Sequence, residues 1–255
     1  MLTEKDLTQL TNRNITENQV LQQVAQLKRG TKYVELMRPA TLGDGIMRID
    51  QEQIQMMTAV FEADKEFYRF TKFVPASGAA SRMFKDLFAF AENGVETRFT
   101  DVFFAHIHDF AFFSDLDEAS KRRYGLDIDA MLQQGRKVDV VKALLLDNGL
   151  NYGKLPKALL KFHHYPTFDR LALEEHLFEA ANYATDNEGV AKLHFTVSPE
   201  HETLFKQTVN ALKDSYEAKY GVRYDITFSC QKPSTDTVAI DADGNLVREA
   251  DGSLL

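Results

Sequence analysis

The chain is poor in cysteine. Cys230 stands alone, so no disulfide can form within the chain, and a cytoplasmic setting is expected. Long apolar runs are missing too, and no stretch has the length that spans a bilayer, so no membrane partner is expected. The opening Met1-Leu2-Thr3-Glu4-Lys5-Asp6 shows no basic stretch leading into an apolar core, and no signal peptide is expected. Positive charge is in deficit, with 30 Lys+Arg against 38 Asp+Glu and a formal net charge of −8. Proteins that hold nucleic-acid polymers usually carry a basic face, so no nucleic-acid partner is expected. A mononucleotide needs only a local cationic site and remains open. No Cys/His set has zinc spacing, for His163 and His164 are adjacent while His106 and His108 lie two apart. No nucleophile-elbow motif supports a Ser-His-Asp site, and Cys230 has no activating sequence context. Internal repeats and low-complexity segments are absent.

The sequence has 255 residues, 44% hydrophobic and 27% charged, the balance of a globular protein with one large α/β domain or two smaller ones. Residues 1–67 read as a helical extension. Thr16 and Gln19 fit a capping box, with Ile15 and Val20 as its hydrophobic staple and Gly30 as the stop. After an irregular stretch at 31–49, Asp50 can cap a second amphipathic helix through Ile54, Met57 and Phe61.

From Tyr68 the texture changes. An apolar run to Val74 predicts a strand, and Pro75-Ala76-Ser77-Gly78-Ala79-Ala80-Ser81-Arg82 follows as a turn of very small residues before a helix closed by Gly94. Strand, small turn and helix start together present free backbone N–H groups and a helix dipole to an anion. Arg82 adds a planar, two-pronged phosphate contact. The plain alternative is an ordinary strand–turn–helix. Residues 100–150 read as helical, with the phenylalanines between Phe99 and Phe113 read as core rather than as a ligand-stacking surface. Further strands are predicted at Ala158–Phe162, Leu193–Val197, Tyr224–Ser229 and Thr237–Ile240, alternating with helices through Leu173–Ala180 and Phe205–Tyr216. Such alternation implies a mostly parallel sheet, whose ligands bind at the carboxyl ends of its strands. Ser77–Arg82, Pro156-Lys157, Ser198 and Gln231 fall at or near those ends.

The pieces Ser77–Arg82, Pro156-Lys157, Glu175-His176, Phe195–His201 and Gln231–Thr237 occur in an order that resembles the sugar-nucleotide pyrophosphorylases, nucleotidyltransferases of glycosyltransferase-A-like fold. The same wording is also similar to an uncharacterised bacterial family of unknown function. The resemblance covers about residues 69–240. It implies an α/β fold with a mostly parallel Rossmann-like sheet, an N-terminal extension at 1–67 and a nucleotidyltransferase-like domain at 68–255. A helical insertion at about 95–152 separates Arg82 from Lys157, where the family has a short loop, and the turn has one glycine where relatives have two or three. A base-binding segment expected after Gln231 is not found before Leu255, so the chain is expected to be the N-terminal part of a longer protein.

The resemblance also implies a reaction, the transfer of a nucleoside monophosphate from a nucleoside triphosphate to a sugar 1-phosphate. Arg82 and Lys157 would be catalytic. Ser77, Gly78, Ala79, Ala80, Ser81, Ser198 and Gln231 would bind the nucleotide, and Mg²⁺ would be held by Asp236 and Asp241. Gln231 can read a base edge or satisfy loop backbone groups, and aspartates in turns often cap backbone. A non-catalytic nucleotide or sugar-nucleotide binder of the same fold is the alternative. A dinucleotide enzyme is a third reading, set back because Ser77–Ser81 lacks the glycine spacing of that motif.

Overall fold

The computed structural model describes residues 2–80 and 82–255. The chain is mixed α/β, with ten α-helices and short sheets among the described residues. It divides into two compact units, residues 1–60 with 231–255 and residues 61–230. No helix among the described residues is long and apolar enough to cross a membrane.

The first unit holds α1 (Glu4–Asn12), α2 (Glu17–Arg29), the two-residue strands β1 (Thr41–Leu42) and β2 (Gly45–Ile46), and most of α3 (Gln51–Asp64). The caps of α2 and α3 are those the sequence predicts, while the Thr3–Asp6 capping box of α1 is an addition. The Gln19 amide N–H donates to Thr16 Oγ1 at 3.2 Å, while the Thr16 N–H donates to Gln19 Oε1 at 2.7 Å. Gly30 ends α2 at φ 69°, and Asp50 accepts from the Gln53 N–H at 2.8 Å. Leu10, Ile15, Val20 and Leu254 form this unit's small core. Asp6 is fully buried and takes both arms of Arg248, at 2.7 and 2.8 Å. That guanidinium holds the Asp6 carboxyl well below the usual carboxylate range. Residues 231–255 thus join the N-terminal helices rather than extending the sheet domain to 255, and the boundary expected at 67 falls at 60. The fourth strand expected at Thr237–Ile240 is not formed. Asp241 Oδ1 accepts the N–H groups of Asp243 and Asn245, folding the chain into a tight turn, and Ile240 pairs with Leu246 across it as an isolated bridge.

The second unit opens with β3 (Lys72–Pro75), shorter than the run from Tyr68, and then α4 (Lys85–Asn93). A helical stretch follows: α5 (Arg98–Ala105), α6 (Phe113–Tyr124), α7 (Ile128–Gln133) and α8 (Lys137–Leu145). Next come β4 (Lys161–Tyr165), β5 (Phe168–Leu171), α9 (Ala172–Tyr183), β6 (Val190–Val197), α10 (Glu202–Tyr220) and β7 (Arg223–Cys230). Strands β3, β6 and β7 form a three-stranded parallel sheet in that order, with Val74 opposite Phe195 and Phe195 opposite Phe228. Ala191, Leu193, Phe195 and Val197 alternate into a core with Leu173 and Leu177 of α9 and Phe205 and Val209 of α10. The predicted strand at Ala158–Phe162 is a correction. Lys157–Leu159 is a 3₁₀ turn, and β4 pairs antiparallel with β5 in a separate hairpin. Pro166 and Thr167 close that hairpin in two residues, so the strand's hydrogen bonds are used locally.

Two cores lie side by side in this unit. Phe84, Phe103 and Phe112 sit with Phe90, Leu87, Leu116 and Leu144 in the helical core, with Phe104, Phe110 and Phe113 packed against it as the sequence predicts, whereas Phe99 at the start of α5 is exposed and is no part of that core. The sheet core is pinned by a buried ion pair. Arg170 Nη1 donates to Glu175 Oε1 at 3.2 Å, Tyr165 donates to the same oxygen at 2.9 Å, and the Arg170 plane lies 4.7 Å from the Phe168 ring centre.

Candidate functional site

The turn after β3 is built from the seam between the two cores. Ala76 belongs to the sheet core and Ala80 to the helical core, at 5% and 0% exposure. Each end of the turn is therefore anchored by a methyl group in a space that admits little more. The Ala76 N–H donates to the Thr196 carbonyl at 2.7 Å, carrying the β3–β6 pairing one residue past the strand. No described residue between 76 and 84 has positive φ, and a Cβ at Gly78 would meet nothing within 4 Å. The scarcity of glycine therefore costs the described residues of this turn nothing, since none of them has a backbone conformation that needs glycine.

The Pro156-Lys157 motif is joined to this turn although a helical insertion separates them in sequence. The Lys157 N–H donates to the Gly78 carbonyl at 3.1 Å, the Ala80 N–H to the Leu155 carbonyl at 3.4 Å, and Ala79 pairs with Pro156 as an isolated antiparallel bridge. The strap that carries Lys157 is seated on the end of α8. Leu150, Tyr152 and Gly153 donate to the carbonyls of Ala143, Leu144 and Leu145 at 2.8, 3.0 and 3.1 Å. Gly149 and Gly153 permit this approach, because a Cβ at Gly149 would stand 1.9 Å from the Ala143 oxygen and one at Gly153 would stand 2.6 Å from Phe88 Cζ. Tyr152 is buried beneath the strap, its hydroxyl accepting from the Lys161 N–H at 3.1 Å, and burial pushes its phenol up to about 12.

What remains open at this junction is donor capacity. The N–H groups of Ser77, Gly78, Ala79 and Arg82 find no protein acceptor among the described residues. Arg82 and Lys157 are exposed, and neither has a carboxylate partner among the described residues. Ser81, expected to contribute, lies outside the described residues. Such a group of donors and two cations suits an anion with several oxygens.

Ser198 stands at the carboxyl end of β6, the strand next to β3, and its hydroxyl is 2.8 Å from His201 Nδ1 rather than capping the following turn. Cys230 ends β7, 3.4 Å from Glu202, and burial with that carboxylate pushes its thiol up, so it is no activated nucleophile. Gln231 follows as the first residue of the segment assigned to the other unit. Asp236 and Asp241 lie further along that segment. Asp236 pairs with Arg13 at 2.8 Å, and Asp241 is taken up by the Asp243 and Asn245 N–H groups. Among the described residues no group of three or more His, Cys, Asp or Glu side chains is placed to hold a metal ion.

The Glu175-His176 pair divides between two structural tasks. Glu175 neutralises buried Arg170. His176 lies edge-on to Phe195 at 6.3 Å, and burial, reinforced by Lys72, pulls its pKa down. The sequence reading missed His194. It bridges β7 hydroxyls from β6, with Nδ1 2.7 Å from Thr227 Oγ1 and Nε2 2.8 Å from Ser229 Oγ, and it stacks on Phe73 at 4.9 Å. The signal was available as a polar residue alternating with Leu193 and Phe195 along a strong strand. Both ring nitrogens are engaged by hydroxyls, so His194 ties two strands together on the polar face of the sheet.

A family described as a domain of unknown function (DUF4301) matches residues 3–255. The chain belongs to that family. The expectation of a family of unknown function thereby holds, and membership carries no reaction with it. No curated protein and no solved structure matches the chain.

Proposed function

We propose that the second unit binds the phosphates of a nucleoside triphosphate at the turn after β3 and transfers the nucleoside monophosphate to a sugar 1-phosphate. The observation that carries this reading is the backbone pairing of Gly78 and Ala80 with Lys157 and Leu155, which unites the two expected motifs at the carboxyl edge of a parallel sheet. The N–H groups of Ser77, Gly78 and Ala79 would hold phosphate oxygens, and Arg82 would span two of them. Lys157, the second cation of the junction, would offset charge growing on the α-phosphate as the sugar phosphate oxygen attacks in line and pyrophosphate leaves. Ser198 follows the end of the neighbouring strand β6, where the base or sugar would lie in this reading. A Rossmann-like nucleotidyltransferase arrangement for the sheet is part of the same proposal. Magnesium enters it only as the counter-ion a triphosphate brings with it, because Asp236 and Asp241 are engaged by Arg13 and by backbone and do not fit a magnesium site.

That last observation favours a second reading, in which the chain binds a nucleotide without turning it over. Calorimetric titration with nucleoside triphosphates and magnesium tests the shared part. Arg82→Ala and Lys157→Ala should each weaken binding about ten- to a hundredfold, the worth of a charged hydrogen bond. Pyrophosphate release with a panel of sugar 1-phosphates separates the two readings. If no nucleotide binds at millimolar concentration, both are wrong.

A further inference from the structure

A pocket of about 350 Å³ opens directly beside the turn, and its lining side chains are all apolar. Phe84, Leu87 and Phe112 form its floor at 5%, 0% and 3% exposure. Met83, Phe99 and Val102 form its rim at 41%, 43% and 52%. A large apolar rim left in water is costly unless something covers it. The chain passes from exposed Arg82 to the rim at Met83 and to the floor at Phe84 in consecutive residues, so a cationic residue directly precedes a pocket whose lining is wholly apolar.

We infer that this pocket takes the alkyl chain of a phosphate ester whose charged head is held at the 77–82 turn. The inference rests on reading that turn as a phosphate site and goes beyond the nucleotide reading by adding a second class of phosphate ester to the ligands the turn accepts. A nucleobase does not suit the pocket, since every donor and acceptor on its edge would be buried unpaired. A flat aromatic ring suits it less than a chain does. Phe103, Phe110 and Phe112 already stack on one another, at 5.4 and 4.9 Å between centres, so part of their aromatic surface is taken up within the lining itself. The volume corresponds to roughly ten methylene-sized groups, judged by the 30 Å³ that one water occupies in the liquid.

The chain contains no tryptophan, so Phe99→Trp places a single reporter on the rim. Titration of this variant with butyl, hexyl, octyl and decyl phosphate should give a saturable emission change, with affinity rising about fourfold per added methylene. Octanol should bind at least tenfold more weakly than octyl phosphate, and Arg82→Ala should erase that difference while preserving the dependence on chain length. Val102→Gln, an uncharged polar change at an exposed rim position, should weaken octyl phosphate binding at least tenfold and leave nucleoside triphosphate binding unchanged. Calorimetry on the unsubstituted chain with the same esters gives the answer independently of the reporter. Affinity that does not change from butyl to decyl overturns the inference even if nucleotides bind. Chain-length dependence without any nucleotide binding upholds it and removes the nucleotide reading instead. Co-sedimentation with phosphatidic acid vesicles without binding of the soluble esters overturns it in favour of a bilayer surface.

Discussion

The helical core and the sheet core of the second unit are neighbours built on different terms. The helical core is a phenylalanine-rich cluster drawn from one continuous stretch, between Ala80 and Leu160. The sheet core gathers Val74 and Ala76 from one end of that stretch, Ala158 and Leu159 from the other, and the strands and helices beyond. The helical core relies on apolar packing. The sheet core adds a buried ionic clip of Arg170, Glu175 and Tyr165, supported by Tyr216 donating to Glu174 and Tyr224 donating to the Leu177 carbonyl. The chain crosses between them four times, from Ala76 to Ala80, from Tyr152 to Ala158, from Leu159 to Leu160 and from Leu160 to Leu173. The candidate phosphate site occupies the first crossing and is bonded to the strap that leads into the second. Small residues are needed there because both ends of the turn are committed to a core while its middle stays open.

One large effect should come from breaking the support of the second crossing. Gly149→Ala drives a methyl into the Ala143 carbonyl, a backbone atom that no side-chain rotation can move aside. Overpacking of this kind costs about 1–3 kcal/mol or more, whereas Gly78→Ala, with open space around it, should stay within about 0.5 kcal/mol of the parent. Denaturant midpoints of the two variants compare them directly, and equal midpoints would mean the strap is not seated on α8. Next, Glu175→Gln leaves Arg170 buried without its counter-charge and should cost about 3–5 kcal/mol. Leu116→Ala in the helical core should cost about 2–5 kcal/mol, through the cavity alone. Salt and pH should modulate the first loss but not the second.

A smaller effect separates the cores by pH. His176 packs against the sheet core, and its folded pKa lies below the ordinary 6.5 through burial and the nearby Lys72. The unfolded chain therefore binds the proton more readily. The associated stability is fully present above pH 6.5 and is lost as pH falls from there through the folded pKa. Unfolding free energies at pH 7 and pH 5 should show this loss, and His176→Gln should reduce it. The smallest effect on stability should come from Arg82→Ala. The exposed Arg82 side chain has no ion pair among the described residues, so the midpoint should move by no more than about 0.5 kcal/mol. Anion affinity should fall sharply in the same protein. A stability loss as large as that of Glu175→Gln would mark Arg82 as structural and remove it from the site.

The caps at Thr16–Gln19 and Asp50, the stops at Gly30 and Gly94, and the strands through Leu193–Val197 and Tyr224–Ser229 were all legible in the sequence. So was the small-residue turn after β3. Each depends on hydrogen bonds or side-chain alternation within a few residues, so spacing alone determines them. The rest depended on partners far along the chain. Asp241 is spent on its own turn and Asp236 on Arg13, which no spacing around them announces. The strand expected at Ala158–Phe162 gave way to a local hairpin, because Pro166-Thr167 folds it onto residues 168–171. Tertiary structure alone decided that Gly78 and Lys157 would share a hydrogen bond across the whole helical insertion. It did so because the insertion closes its own core and returns the chain, through Gly149 and Gly153, to the place it left.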